Sequence, residues 1–272
     1  MKSLLLFITS ILLVIYNSKF CHSKEVWVEA EGEAAIAGIT AEQARLLALQ
    51  RARAAAIEKA AGVRVSSITL VTDARLSGEF IKAFSRGYIT KEKCTWDKSI
   101  YQESPDKPAV FAYKVKLRAK VTIVEKDTKP GFLLEAKLNK SVFKSGEKVK
   151  IFLKPTENAY VAIFNWRADD KIALLFPNQY CTNNFIPEGV WFTFPPRDSG
   201  LVLRVKTLPG HKQDTEAIYV VAFNKDIGSS ICFWDLFPSS IPLEVASFFS
   251  KYIQLPVEKA IEKILVYQVK QK

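Results

Sequence analysis

From Lys114 to Ile123 the residues at every second position are apolar (Val115, Leu117, Ala119, Val121, Ile123), and Lys114, Lys116, Arg118 and Lys120 stand between them. A period of two sends successive side chains to opposite faces of a strand. Wound as a helix, the same residues would scatter cations around the axis and leave no buried stripe. The segment Phe111 to Val124 is therefore expected to be a strand with one core face and one fully cationic face, entered through the turn Ser104 to Pro108.

The same period occurs in Glu25 to Ala37, where Val26, Val28 and Ala30 point one way and Trp27, Glu29, Glu31 and Glu33 the other. Opposite charges across neighbouring strands stabilise by about 0.2–1 kcal/mol per pair. These two strands are thus expected to be antiparallel neighbours, with Glu29, Glu31 and Glu33 and Lys114, Lys116 and Arg118 as ion-pair rows on one solvent face. Two acids at i and i+2 lie about 6.6 Å apart, a workable separation for inverting glycoside cleavage. Such chemistry needs a cleft and a raised pKa, whereas a neighbouring cation row lowers it. No catalytic residue is assigned to this row.

Between the strands the period changes. Thr40 and Gln43 form a capping box, strong helix formers run to Ala61, and Gly62 takes the C′ position. Ala41, Ala44, Ala48, Ala52 and Ala55 share an arc of about 80°, a methyl face suited to close packing on a sheet. Arg45, Arg51 and Arg53 scatter around the circumference and read as solvated flanks. A strand over Val63 to Val71, a helix over Asp73 to Arg86 and a strand over Tyr88 to Tyr101 follow.

Lys126 to Gly131 reads as a linker, and beyond it helical periodicity gives way to short aromatic and β-branched runs: 132–138, 149–153, 160–166, 171–176, 190–194, 201–205 and 217–223. A hairpin is expected at Ala168 to Lys171, its Asp169 and Asp170 being solvated turn acids. In LLFPNQYCTNNFIPEG, Leu174 to Gly189, Pro177 ends a buried strand and residues 178–184 cross the surface. The tail from Ser229 concentrates Phe233, Trp234, Phe237, Phe248, Phe249 and Tyr252 around a helix at Leu243 to Tyr252. A second helix is expected at Val257 to Ile264 and a last strand near Val266 to Val269. The tail is expected to cover an edge or open end of the sandwich; an exposed apolar surface for a partner or membrane is the alternative. Each half is expected to bury its own core.

Lys2, the apolar run Leu4 to Tyr16 and the polar Asn17 to Ser23 have the order of a secretory signal peptide, with cleavage after Ser23. The alternative is a lipid-anchored outer-membrane protein through Cys21. Loss of Lys2 and Lys19 takes the formal charge from +11 to +9. Export argues against nucleic acid as the partner of that charge, and the interleaving of both signs reads as a solubilising surface. Cys94, Cys181 and Cys232 are too far apart for a CxxC metal pattern, so no metal is expected. A Cys181–Cys232 disulfide and buried free thiols are both open readings. His211 is the single mature histidine, placed after the turn Pro209-Gly210 and expected to be exposed. Phosphate loops, nucleophile elbows and HExxH are absent, and no cofactor is expected.

Two resemblances attach to these patterns. EAEGEAAI, AEQARLLALQRARAAAIEKAAGVRV, FSRGYI and YKVKLRAKV, within Glu25 to Glu125, resemble the N-terminal domain of flagellar assembly protein T and the related twenty-kilodalton outer-membrane lipoprotein family. KSGEKVKIFLKPTENAYVAIFNW, LLFPNQY, NNFIPEGVWFTFP and DTEAIYVVAF are similar to the exported family catalogued as domain of unknown function 4384. The resemblances imply exported envelope domains, helices packed on one sheet followed by a β-sandwich, with no assigned catalytic residues. The expectation is an α+β chain: signal peptide 1–23, α+β envelope domain 24–126 with an antiparallel sheet, and β-sandwich 127–272 with a C-terminal helical cap. Its expected role is that of a periplasmic or secreted non-enzymatic module with an envelope protein partner and membrane or cell-wall association. A module that binds or hydrolyses cell-wall glycan is the alternative.

Overall fold

A computed structural model describes residues 23–62, 83–84, 86–102, 104–106, 108–125, 131–238 and 241–272. The leader, the strand expected at 63–71, most of the helix expected at 73–86 and the linker over 126–130 lie outside the described residues. The chain is mostly β, with few helices.

The alternating strand β3 (Val110–Val124) runs between β1 (Ser23–Ala35) and β2 (Tyr88–Tyr101), antiparallel to both. Its apolar row, Val115, Leu117, Ala119 and Val121, is buried beneath α1 (Ala41–Ala60). The capping box starts that helix: Thr40 Oγ1 accepts from Gln43 N at 3.1 Å, and Gln43 Oε1 accepts from Thr40 N at 2.9 Å. Ala44, Ala48 and Ala52 are fully buried. Close approach depends on Gly32, where an added Cβ would lie 2.0 Å from Ala48 O and 2.6 Å from Ala52 N.

After residue 131 two sheets face one another. The first has order β10-β6-β4 and comprises β10 (Phe192–Phe194), β6 (Ile151–Pro155) and β4 (Leu134–Leu138), all antiparallel. In the larger sheet the order is β12-β8-β7-β11-β13-β5: β12 (Leu243–Glu244), β8 (Lys171–Phe176), β7 (Ala159–Trp166), β11 (Gln213–Asn224), β13 (Ile261–Lys270) and β5 (Val142–Lys144). Strand β9 (Phe185–Ile186) adds to β7, and only β5 pairs in parallel, with β13. Leu134, Ile151, Leu153, Val161, Ile163, Phe176, Val220 and Val269 belong to one buried cluster between the sheets.

The other face of the larger sheet is also largely covered. Phe164, Trp166, Tyr219 and Phe223 join Phe233, Phe237 and the helix Val245–Tyr252 in a cluster that continues into Phe84, Tyr88 and the α1 core. Phe249 stacks on Phe84 at 4.7 Å and on Tyr88 at 5.2 Å. A separate N-terminal core, as expected from the sequence, is therefore not what forms: the three-stranded sheet and α1 share their core with the larger sheet. The aromatic tail fills that junction and also extends the sheet through β13, rather than only closing an end.

Three local expectations are corrected. Val257 to Ile264 is not a helix; one 3₁₀ turn, Val257–Lys259, leads directly into β13, which pairs from Ile261 to Lys270 with β11. The Glu and Lys residues favour a helix, but ten residues of ladder and a buried Tyr267 and Val269 outweigh that local preference. Residues 201–205 make only an isolated bridge, Lys148 with Arg204. β5, β9 and β12, of two or three residues each and too short to show a period, are strands that the sequence pattern missed, β12 taking the first two residues of the helix expected from Leu243.

Candidate functional site

With α1 on one side of the N-terminal sheet, its other side carries the ionised rows. Register sets Glu29 opposite Arg118, Glu31 opposite Lys116 and Glu33 opposite Lys114. On the far side of β3, Lys93 stands opposite Arg118, Thr95 opposite Lys116 and Asp97 opposite Lys114. Acid thus lines β1 and β3 is basic, while β2 is mixed, with Lys91 and Lys93 at one end and Thr95, Asp97 and Ser99 beyond them.

The contacts are diagonal. Glu31 takes Lys114 Nζ at 2.8 Å, and Glu25 takes Lys120 Nζ at 2.5 Å. Lys114, by hydrogen bond and charge, holds the Glu31 carboxyl below its ordinary value. That is the opposite of what a general acid needs. Glu33 reaches over the small Ala112 to accept from Ser99 Oγ at 2.5 Å. Arg118 leaves its facing acid and lies 5.2 Å from the ring centre of Trp27, which is 50% exposed. Lys93 and Lys116 make no ion pair among the described residues. Glu29, Glu31, Lys93, Thr95, Lys116 and Arg118 line a shallow depression of about 480 Å³ here. Chemically the face offers donors, acceptors and one exposed indole across three strands, which suits recognition of a charged or sugar-bearing surface.

A second constellation was not legible in the sequence. Arg53, expected to be a solvated flank, is 3% exposed, and Asp170, expected to be a solvated turn acid, is equally buried. Their side chains form an ion pair, and Arg53 also holds Glu92 through Nε–Oε2 at 2.8 Å and Nη2–Oε1 at 2.5 Å. Trp166 Nε1 donates to Asp170 Oδ1 at 2.8 Å. Burial opposes the Arg53 charge, but Asp170 and Glu92 more than offset it and the guanidinium pKa moves up. The reason for the reversal is that the Ala168–Lys171 hairpin of the larger sheet reaches α1, and a helical wheel does not see what the rest of the chain brings against the helix. Arg51 is buried as well and donates to the Glu33 carbonyl at 2.5 Å. Asp170 sits at φ +61°, a conformation that Asp tolerates better than most residues. Beside this latch, the Tyr88 and Tyr252 hydroxyls both donate to Glu262 Oε1, at 2.7 and 2.5 Å.

The remaining candidates disperse. Cys94, Cys181 and Cys232 are free thiols, so the Cys181–Cys232 disulfide does not form here. Cys181 is tied by its backbone to Asn178 in the surface crossing, while Cys232 is exposed at the entry to the one-turn helix Phe233–Leu236. Burial pushes the Cys181 thiol up, away from an activated nucleophile. His211, expected in solvent, is buried, with Nδ1 2.6 Å from Asp214 Oδ1. Asp214 Oδ2 also accepts from Leu208 N at 2.6 Å, so the pair staples the turn after Leu208.

Residues 142–222 match the family described as Domain of unknown function (DUF4384). This DUF4384 segment begins at β5 and ends within β11. It therefore includes the LFPN stretch, the hairpin that carries Asp170 and strands from both facing sheets, and it stops short of the aromatic tail and β13. No curated protein matches the chain. Both ion-pair rows lie outside the DUF4384 segment, whereas the latch joins it to α1.

Proposed function

We propose that this chain is an exported, non-enzymatic protein of the cell envelope, an assembly or binding module that engages a protein partner through the open face of its N-terminal sheet. The observation that carries the reading is the distribution of charge on that face. Lys93, Lys116 and Arg118 have no carboxylate bound to them among the described residues, although Glu29 stands directly opposite Arg118. Cations along β3 and at Lys93, between the acids of β1 and the single acid Asp97 on this face of β2, supply complementarity and register to a partner that carries the opposite pattern. The order of the leader supports export, after which residues 24–126 act as the α+β domain and 127–272 as the β-sandwich with its helical cap. The resemblance of Glu25 to Glu125 to the flagellar assembly protein T N-terminal domain supports an envelope role without implying a flagellum.

The test is site-specific photocrosslinking in the native cell from position 95, in the depression, and from position 226, on the opposite half. A partner crosslinked from 95 and lost in Lys116→Glu/Arg118→Glu supports the reading. Equal crosslinking from both positions, or capture indifferent to the charge reversal, refutes it. A second reading, a cell-wall glycan site, rests on Trp27, whose half-exposed ring, on the same strand face as Glu29, offers a stacking surface. Sedimentation with insoluble cell wall, lost in Trp27→Ala and kept in Lys116→Glu/Arg118→Glu, would select it.

A further inference from the structure

The sheet β10-β6-β4 has one face in the core and one face outside. Ile151, Leu153 and Pro155 are buried, so Phe152 and Lys154 point outward. Leu133 and Lys137 share that side, because Leu134 is buried and Lys137 pairs with Phe152. Trp191 precedes Phe192, which pairs with the buried Leu153, and so it also faces out. Leu133 is 64% exposed, Val190 49% and Trp191 44%. Lys137 Nζ lies 4.7 Å and Lys154 Nζ 5.8 Å from the Trp191 ring centre. Neither ammonium group has an ion pair among the described residues, although Glu135 stands opposite Lys154 in the ladder.

Exposed Leu133 and Trp191 side chains on one face with two lysines that have no ion pair among the described residues are a specific combination. A soluble protein gains nothing from keeping such side chains in water. A sugar would use the indole but leave the aliphatic side chains idle. At a lipid surface every part has a role: the indole sits at headgroup level, Leu133 enters the acyl boundary, and the lysines meet phosphate. We propose that this face docks the protein on a membrane surface rich in anionic phospholipid. Attraction of this kind is worth about fivefold in partitioning per lysine at low salt and falls away within a Debye length. The inference uses a different surface from the N-terminal charged face and stands whether or not that face binds a partner.

The experiment is co-sedimentation of the full chain, leader removed, with vesicles of phosphatidylcholine alone and of phosphatidylcholine with phosphatidylglycerol. Binding is expected to the anionic vesicles only, weakening as salt rises. Lys137→Ala/Lys154→Ala should reduce it about 25-fold, and Trp191→Ala together with Leu133→Ser should abolish it. Lys116→Glu/Arg118→Glu, on the other face, should bind as the parent protein does. Circular dichroism of each variant establishes that it is folded. Failure to bind anionic vesicles overturns the proposal, as does binding that survives loss of both lysines. Binding to soluble acidic polysaccharide with none to vesicles overturns it too, and assigns the lysines to a glycan instead.

Discussion

Replacing Arg53 by Met tests whether the two halves are held by a buried charge. Met fills most of the volume but leaves Asp170, nearly inaccessible, and Glu92, mostly buried, without their common cation. Breaking a buried pair by removing one partner costs about 3–5 kcal/mol, because the remaining charge stays desolvated. The Trp166 indole still donates to Asp170 and softens the loss, which places the expectation near the lower end of that range. Asp170→Asn is milder: Arg53 keeps both bonds to Glu92 and Asn keeps the acceptor for Trp166, so the loss is that of one charge-assisted bond, about 1.5–3 kcal/mol. In the double variant the Arg53 replacement should cost less than it does alone, a coupling of about 1–3 kcal/mol. Urea unfolding followed by tryptophan fluorescence reads these values; at about 2 kcal/mol per molar urea, Arg53→Met should lower the midpoint by about 1.5–2 M. Lys114→Met, which removes an exposed pair, should leave the midpoint where it was. If Arg53→Met shifts it no more than Lys114→Met does, or if the two latch substitutions simply add, the cluster is not what joins the halves.

Gly32→Ala drives a methyl into the α1 backbone at Ala48, and because both contacts are backbone the helix must move; a loss of about 1–3 kcal/mol or more is expected in the same urea assay. Glu216 is raised above its ordinary value by burial, against the bonds from Tyr267, Ala168 and Asn165. The folded protein therefore holds that proton more tightly than the unfolded chain does. This contribution to stability is complete below the unfolded carboxylate value and is lost as pH rises through the folded one. Glu216→Gln should flatten the decline of stability above about pH 4.5, and superimposable profiles from melts across pH 4–8 would refute the assignment. Thr40→Ala removes half of the capping box and should cost about 1 kcal/mol, read as a matching drop in stability by thermal and chemical unfolding.

Two open faces and one buried latch arise from the same arrangement. The three-stranded sheet spends its apolar side on α1, and α1 meets the larger half through Arg53 and the hairpin acid Asp170, so the ionised side of β1 and β3 is left to solvent. In the second half, the two sheets use their inner faces on each other and the larger one uses its outer face on the aromatic tail. Among the described residues the outer face of β10-β6-β4 is left uncovered, where Trp191 and its lysines stand.

Strand and helix identity over most of the described chain follows from the sequence alone, because period two, period 3.6 and turn chemistry are local properties. The alternation at 114–123 even implied its partner, since a carboxylate row with the same period lies in Glu25 to Ala37 and the observed register sets the rows face to face. What no local pattern contains is the second surface against which an element packs. Arg53, Asp170 and His211 look like ordinary exposed polar residues until α1, the hairpin and the Leu208 turn are brought against other elements. Val257 to Ile264 looks helical until β11 offers it a ladder. Dielectric surroundings, and therefore which charges matter, depend on contacts between residues far apart in the chain, and only tertiary structure supplies them.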